Sequence, residues 1–507
     1  MSQPPTGRSA VAPGSELAAD GLSTTRTSPS NNRSTTTRSR IRLLRTAGLP
    51  TAAPLLLVSG AAVGAFSVSA YHRRVVLSYL VLVVVLGVTA WRGLRRPLPL
   101  PSPAVARLAG SLALLAAGVL TWTVPAFSYV SGDPAVALRG LGAGTAVAAA
   151  AVLALPWRPA PTLALTIAAA GYAACCAAAL RLDPAPRIDV WYTLQGAADG
   201  LLHGQDLYRQ VWIGPPGPMP FFTDRPWTAV LLAPGRWLGG DVRWALAVVT
   251  ISIAVMLRAL PRRTAPAAGA TAQALIATTS AALVLLLPGT LTQVEQAWTE
   301  PLLLGCLTLA VLGLVRGHGW LAVLGVALAC ASKQHVLLLL PVLAAWPRFG
   351  VRRTLVAGLL AGGLVLPWFL VDPAAMWHDT VTLLVNFPPL RFADTLYIAV
   401  LNEWGVQPPF WLTGATVATV VGTAVVVVRR HDPPVAVVLR WCALVLFVAN
   451  LVNKQAFYNQ YWLVAGLVLL SWAAVEPASA PASAGDDTAA QGDALPGPAQ
   501  GPAAVAS

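Results

Sequence analysis

The sequence predicts an all-α, polytopic transmembrane protein. Hydrophobic residues make up 56% of the chain and charged residues only 11%, against about 25% charged in soluble domains. The mean hydropathy is +0.65. Several stretches also run about 20 residues without a charge, enough to cross ~30 Å of hydrocarbon as a helix. The alternating ten-residue pattern of a barrel strand is absent, so the spans are helices.

Taken in order, residues 1–47 are rich in Ser, Thr, Pro and Arg and have almost no large apolar side chains before Ile41. That composition predicts a disordered tail, and its arginines favour the cytoplasm. No apolar core precedes Gly48, so a cleaved signal peptide is not expected. About fourteen spans follow, near residues 48–70, 75–91, 104–124, 138–156, 161–181, 242–260, 270–288, 300–315, 319–332, 335–347, 354–371, 409–428, 435–452 and 456–475. The two around Lys333 are short, as a broken or tilted pair would be. The apolar run 227–239 is too short to span and reads as an interfacial or re-entrant helix. Residues 476–507 form a second low-complexity tail of Ala, Pro, Gly and Asp.

Charge orients this map. With the N-terminus inside, Arg92, Arg107, Arg158, Arg258, Arg316, Arg348, Arg429 and Arg440 all fall in cytoplasmic segments. Every acidic residue from Asp133 to Glu403 falls outside. Two independent signs therefore give one topology. The exception is Arg73-Arg74, in an outer hairpin. The long loops, 182–241 and 372–408, also lie outside, where loops on a rigid helical frame carry chemistry.

The net charge of +14 sets orientation in such a chain and does not imply nucleic-acid binding. The five cysteines lie in apolar stretches without metal-ligand spacing and read as core residues. No Gly-rich phosphate loop is present, which argues against a nucleotide donor. Neither a metal nor a cofactor is expected.

Only two of the 34 basic residues are lysines. Lys333 stands in Ser332-Lys333-Gln334-His335 and Lys454 in Asn453-Lys454-Gln455, each at the end of an apolar helix. An ammonium there needs an anionic partner or a polar cavity. Other outer-face clusters are Arg187-Ile188-Asp189-Val190-Trp191-Tyr192, Thr223-Asp224-Arg225-Pro226, Gln293-Val294-Glu295-Gln296 with Glu300, and Arg391-Phe392-Ala393-Asp394. The inventory suits an anionic, lipid-linked substrate. Phosphate needs Arg or Lys. Sugar hydroxyls need amides, carboxylates and aromatic faces, and an attacking hydroxyl needs a base such as Asp.

The run Asp189-Val190-Trp191-Tyr192, continuing through Gly196-Ala197 and Leu201-Leu202-His203-Gly204 to Asp206-Leu207-Tyr208, resembles the first extracytoplasmic loop of the GT-C glycosyltransferases. The resemblance is nearest to the actinobacterial polyprenol-phosphate-mannose-dependent α-mannosyltransferases and covers roughly residues 165–475. It departs from that family in the four spans that precede it, in the missing proline after Asp206, and in the Thr223–Pro226 turn.

The resemblance implies a GT-C-like region over 161–475, preceded by extra helices over 48–160. Asp189 is then the general base of an inverting transfer, with Lys333, Arg225, His335 and Lys454 toward the donor phosphate. Tyr192, Asp224, Glu295, Glu300, Gln334 and Arg391 are expected to bind substrate. The expected partners are a polyprenyl-phosphate sugar, with mannose the sugar implied, a lipid or glycan acceptor, and membrane lipids. The expected location is the cell membrane with the active face outside. A polytopic transporter or lipid-linked-glycan flippase is the alternative. A structural role is also open to Lys454, paired with a carboxylate such as Glu295 or Glu300.

Overall fold

In a computed structural model of the protein, the described residues are 71–95, 100–124, 126–210, 221–261 and 267–475. The expected span near 48–70 and both expected tails lie outside them. All regular structure among the described residues is helical. Among the described residues seven helices are long and apolar enough to cross a membrane, or eight if one bent pair forms a single span.

The first four long helices are α1 (Arg73–Arg95), α2 (Pro103–Thr123), α3 (Gly132–Ala154) and α4 (Ala160–Leu182). Ser102 caps α2, its Oγ accepting from the Val105 N–H, and Pro103 supplies a preset first turn. Arg107 near the start of α2 donates to the Leu153 and Leu155 carbonyls at the end of α3, so these two helices run antiparallel.

Two short helices follow, α5 (Asp189–Leu202) and α6 (Pro226–Gly239), and then α7 (Arg243–Ala259). The apolar run 227–239 thus becomes α6, and it meets α7 at a bend of 113°. Gly240, with φ of 78°, takes the left-handed conformation that ends α6.

The remaining long elements are α8 (Ala267–Leu286), α10 (Glu300–Arg316), α11 (Gly319–Ser332), α13 (Gly350–Val371), α17 (Phe410–His431), α18 (Val435–Leu451) and α19 (Tyr458–Ala473). Between them lie α9 (Thr290–Glu295) and α12 (Leu340–Ala345). Helices α18 and α19 are apolar all round and buried almost throughout, as expected for elements at the centre of a bundle. Only 17% of the apolar window is buried in α13 and in α17, against 78% in α8. The exposed Leu355, Leu359 and Leu370 of α13 form the apolar outer surface that lipid would cover.

Two expectations change. Residues 372–408 are not a long irregular loop. They fold into α14 (Pro373–Trp377), a π turn (His378–Thr382), α15 (Leu383–Asn386) and α16 (Leu396–Trp404). Asp372 and Thr395 cap two of these, accepting from the Ala375 and Ile398 N–H groups. Arg440, expected in a cytoplasmic segment, is instead inside α18 and 1% exposed. Arg73, the exception in the expected charge pattern, has a local counter-charge, Glu403 at 3.7 Å.

Helices α10 and α11 form a tight hairpin. A Cβ on Gly325 would meet the backbone of Cys306 and Ala310, so the two backbones touch where only glycine fits. Gly325→Ala is expected to cost about 1–3 kcal/mol through forced separation. Denaturant unfolding of the detergent-purified protein checks this, and unchanged unfolding would show that the hairpin can give.

Candidate functional site

The hairpin carries charge at the end where α10 begins and α11 stops. Helix α11 stops because Lys333 turns extended, with φ of −149° and ψ of 137°, and a 3₁₀ turn over Gln334–Leu339 follows. The chain break projects the Lys333 ammonium onto the start of α10. Lys333 Nζ donates to Glu300 Oε1 at 2.9 Å and to Thr299 Oγ1 at 2.8 Å. Asp224 Oδ1 lies 3.6 Å from the same nitrogen, and Thr299 Oγ1 donates to Asp224 Oδ2 at 3.1 Å. The Glu300 side chain is wholly buried, and those of Asp224 and Lys333 are largely so. Burial pushes the Asp224 carboxyl above its ordinary range, against the pull of Lys333. Two carboxylates thus share one ammonium.

The neighbouring chain is stitched to this cluster. The Arg225 N–H and the Thr228 hydroxyl both donate to Ser332 O, at 3.0 and 2.6 Å. Arg225 Nη1 donates to Cys330 O at 2.9 Å, so this guanidinium braces α11. Gln334 Nε2 donates to the carbonyls of Thr223 and Thr380, and His335 and Asn459 lie beside Glu300. Gln293 of α9 and Gln296 just after it are fully buried, and among the described residues neither side-chain amide has a hydrogen-bond partner.

Asp189 belongs to a different cluster. It is the first residue of α5, half exposed, and its Oδ1 accepts from the Val190 N–H at 2.9 Å. It does not act as a plain cap, since Ile188 occupies that position. Tyr192 packs edge-on against Trp191. Helices α5 and α6 run antiparallel: Trp191 Nε1 donates to Asp241, Arg236 pairs with Asp199 at 2.8 Å, and Tyr208 OH donates to Asp224 O at 3.1 Å. Asp189 and Asp224 therefore lie at opposite ends of the pair, separated by about 20 Å for fourteen residues at 1.5 Å each. Around the Asp189 end, the fully buried Arg243 holds Asp241 at 2.7 Å and reaches the Asp183 and Glu295 carbonyls. The Arg187 guanidinium lies 5.6 Å from the Tyr129 ring centroid, and Asp189 and Asp183 also border Tyr129.

Lys454 departs from expectation. It pairs with neither Glu295 nor Glu300, because Lys333 holds Glu300 and Ser128 Oγ donates to Glu295 Oε1 at 2.8 Å. Instead, Lys454 Nζ donates to the Val385 and Phe387 carbonyls and lies 5.1 Å from the Phe410 ring centroid. It ties α15 to the end of α18. Arg391 is exposed and joins neither cluster, and its carbonyl accepts from Asn402.

Several residues of these clusters were not singled out by the sequence. Asp241 and Arg243 flank the α6–α7 bend, and their i, i+2 spacing gave no helical-face signal. Arg209, bonded to Asp372 at 2.6 Å, pins the start of α14 to the segment that follows α5. No known protein-family model matches the chain, and no curated protein matches it at a significant level.

Proposed function

We propose that this chain is a membrane glycosyltransferase that moves a sugar, mannose by preference, from a polyprenyl-phosphate donor to a lipid or glycan acceptor at the extracytoplasmic face. The observation that carries the reading is the concentration of buried carboxylates, cations and unpartnered carboxamides at one end of an otherwise apolar bundle. A transporter would need such groups at mid-depth.

In this reading Asp189 is the base. Half exposed beside Trp191 and Tyr129, it can take the proton of an incoming acceptor hydroxyl as that oxygen attacks the anomeric carbon. Arg187 is the cation best placed to offset the departing phosphate. Lys333 is already neutralised by Asp224 and Glu300, so its role is to hold the α6 and α10–α11 ends together. The amides of Gln293 and Gln296 suit sugar hydroxyls. In this reading α7, α10, α11, the segment Gln334–Ala345, α18 and α19 join the seven long helices and the expected span near residues 48–70 to make fourteen spans, with the N-terminus inside.

The test is transfer itself. Proteoliposomes holding the full chain, supplied with labelled polyprenyl-phosphate mannose and a membrane-lipid extract, are expected to move label from the donor into a new product. Retention of all label on polyprenyl phosphate, with mannose and with other sugars, would overturn the reading.

A further inference from the structure

A cavity of about 290 Å³ lies among α2, α3, α4, α8 and α9, away from the Lys333 cluster and on the far side of Glu295, whose carbonyl Arg243 holds. Its walls are mainly apolar, with Val124, Leu138, Leu286 and Leu291 among them. The cation and the carboxyl that line it are Arg139 of α3 and Glu295 of α9. Arg139 is seven residues along α3 from Gly132, about 10 Å below the outer helix end. A charged group at that depth in an apolar helix is costly and marks a site by default.

The two charges do not neutralise one another. Among the described residues Arg139 forms no ion pair or hydrogen bond, and the Glu295 carboxyl has one hydrogen bond, from Ser128 Oγ at 2.8 Å, with Arg243, already paired to Asp241, offering it only a weak pull. Glu295 is only 5% exposed, and burial holds its carboxyl up at about 7. Its ionised form therefore lacks a full counter-charge, which a bound cation would supply. Arg139 lacks an anion. Arg139 and Ala135 keep partial exposure, so the cavity is reached from the outer flank of α3.

We propose that this cavity is a binding site for a zwitterionic phospholipid, with the headgroup phosphate on Arg139, the headgroup ammonium on Glu295 and Ser128, and the first acyl methylenes against the leucine wall. Charge complementarity selects this occupant. An anionic lipid would meet Glu295 with a like charge, and an uncharged amphiphile would leave both charges uncompensated. The reading is independent of the glycosyl-transfer proposal, since none of the cavity's cations or hydroxyl donors serves that reaction. It gives the α2–α4 helices a role of their own, as a lipid-occupied buttress behind α9.

Native mass spectrometry of the full chain in detergent, titrated with phosphatidylethanolamine and with phosphatidylglycerol, tests it. Phosphatidylethanolamine is expected to give one tighter-binding equivalent. Arg139→Gln and Glu295→Gln should each weaken that equivalent about tenfold or more, the loss of one charge-assisted contact. Gly142→Leu gives a charge-independent check. A Cβ there meets only Thr121 at 3.6 Å and Cys175 at 4.0 Å, so the variant folds while its side chain fills the cavity, and the bound equivalent should vanish. Equal binding of the two lipids, or a phosphatidylethanolamine equivalent untouched by all three variants, would overturn the proposal.

Discussion

Lys333→Met is expected to be among the most destabilising single changes in this chain. It removes the ammonium shared by Asp224 and Glu300, 3.6 and 2.9 Å away, and leaves two carboxylates buried without a counter-charge. Breaking a buried pair by deleting one partner costs about 3–5 kcal/mol, a large part of a typical folding free energy of about 5–15 kcal/mol. Lys454→Met loses hydrogen bonds to two carbonyls and the contact with the Phe410 ring but orphans no carboxylate, and should cost about 1–3 kcal/mol. Adding Glu300→Gln and Asp224→Asn to Lys333→Met should recover much of the loss, because neutral amides need no counter-ion. Denaturant unfolding in a single detergent ranks the variants. If Lys333→Met unfolds no more readily than Lys454→Met, the shared-ammonium account fails.

The largest expected effect on activity is at Asp189. Asp189→Asn keeps size and hydrogen bonding while abolishing basicity, and base catalysis is worth about 10²–10⁴-fold. Transfer from a polyprenyl-phosphate sugar should fall by that factor. Stability should barely move, because Asp189 is half exposed and lies outside the Lys333 network. The opposite pattern is expected of Asp224→Asn, where folding suffers first. A near-normal turnover number for Asp189→Asn would remove this residue from the chemistry.

The helical frame was legible because its signal is long-range and redundant: each long span is a run of about 20 mainly apolar residues that stands out from the polar segments around it. The break at Lys333 was legible for the same reason, since two runs too short to span flank one charge. Partnerships were not. Glu300 and Lys333 are 33 positions apart, and nothing in either segment excludes Lys454 as the partner. The helices within 372–408 escaped notice because they are of four to nine residues, too short for a periodic signal, and are held by caps and by Arg209 from a distant segment. Arg139 escaped because a single charge inside an Ala- and Gly-rich run does not change how that run reads, and its significance lies in the cavity it faces.

The placement of Glu300 and Lys333 bears on how the protein is made. In the proposed topology they sit at the extracytoplasmic ends of consecutive helices of one hairpin, so both would be carried across the bilayer when that hairpin inserts. Moved singly, each would cross as a bare ion. Moved together, with α10 and α11 already in backbone contact at Gly325, they cross as a neutral dipole, and the insertion machinery handles a single apolar wedge. The contact needs only residues 299–333, so it can form before Asp224 docks and before the last helices are synthesised. The pair thus acts first as a passport for its own hairpin and only later as a tie between distant parts of the chain.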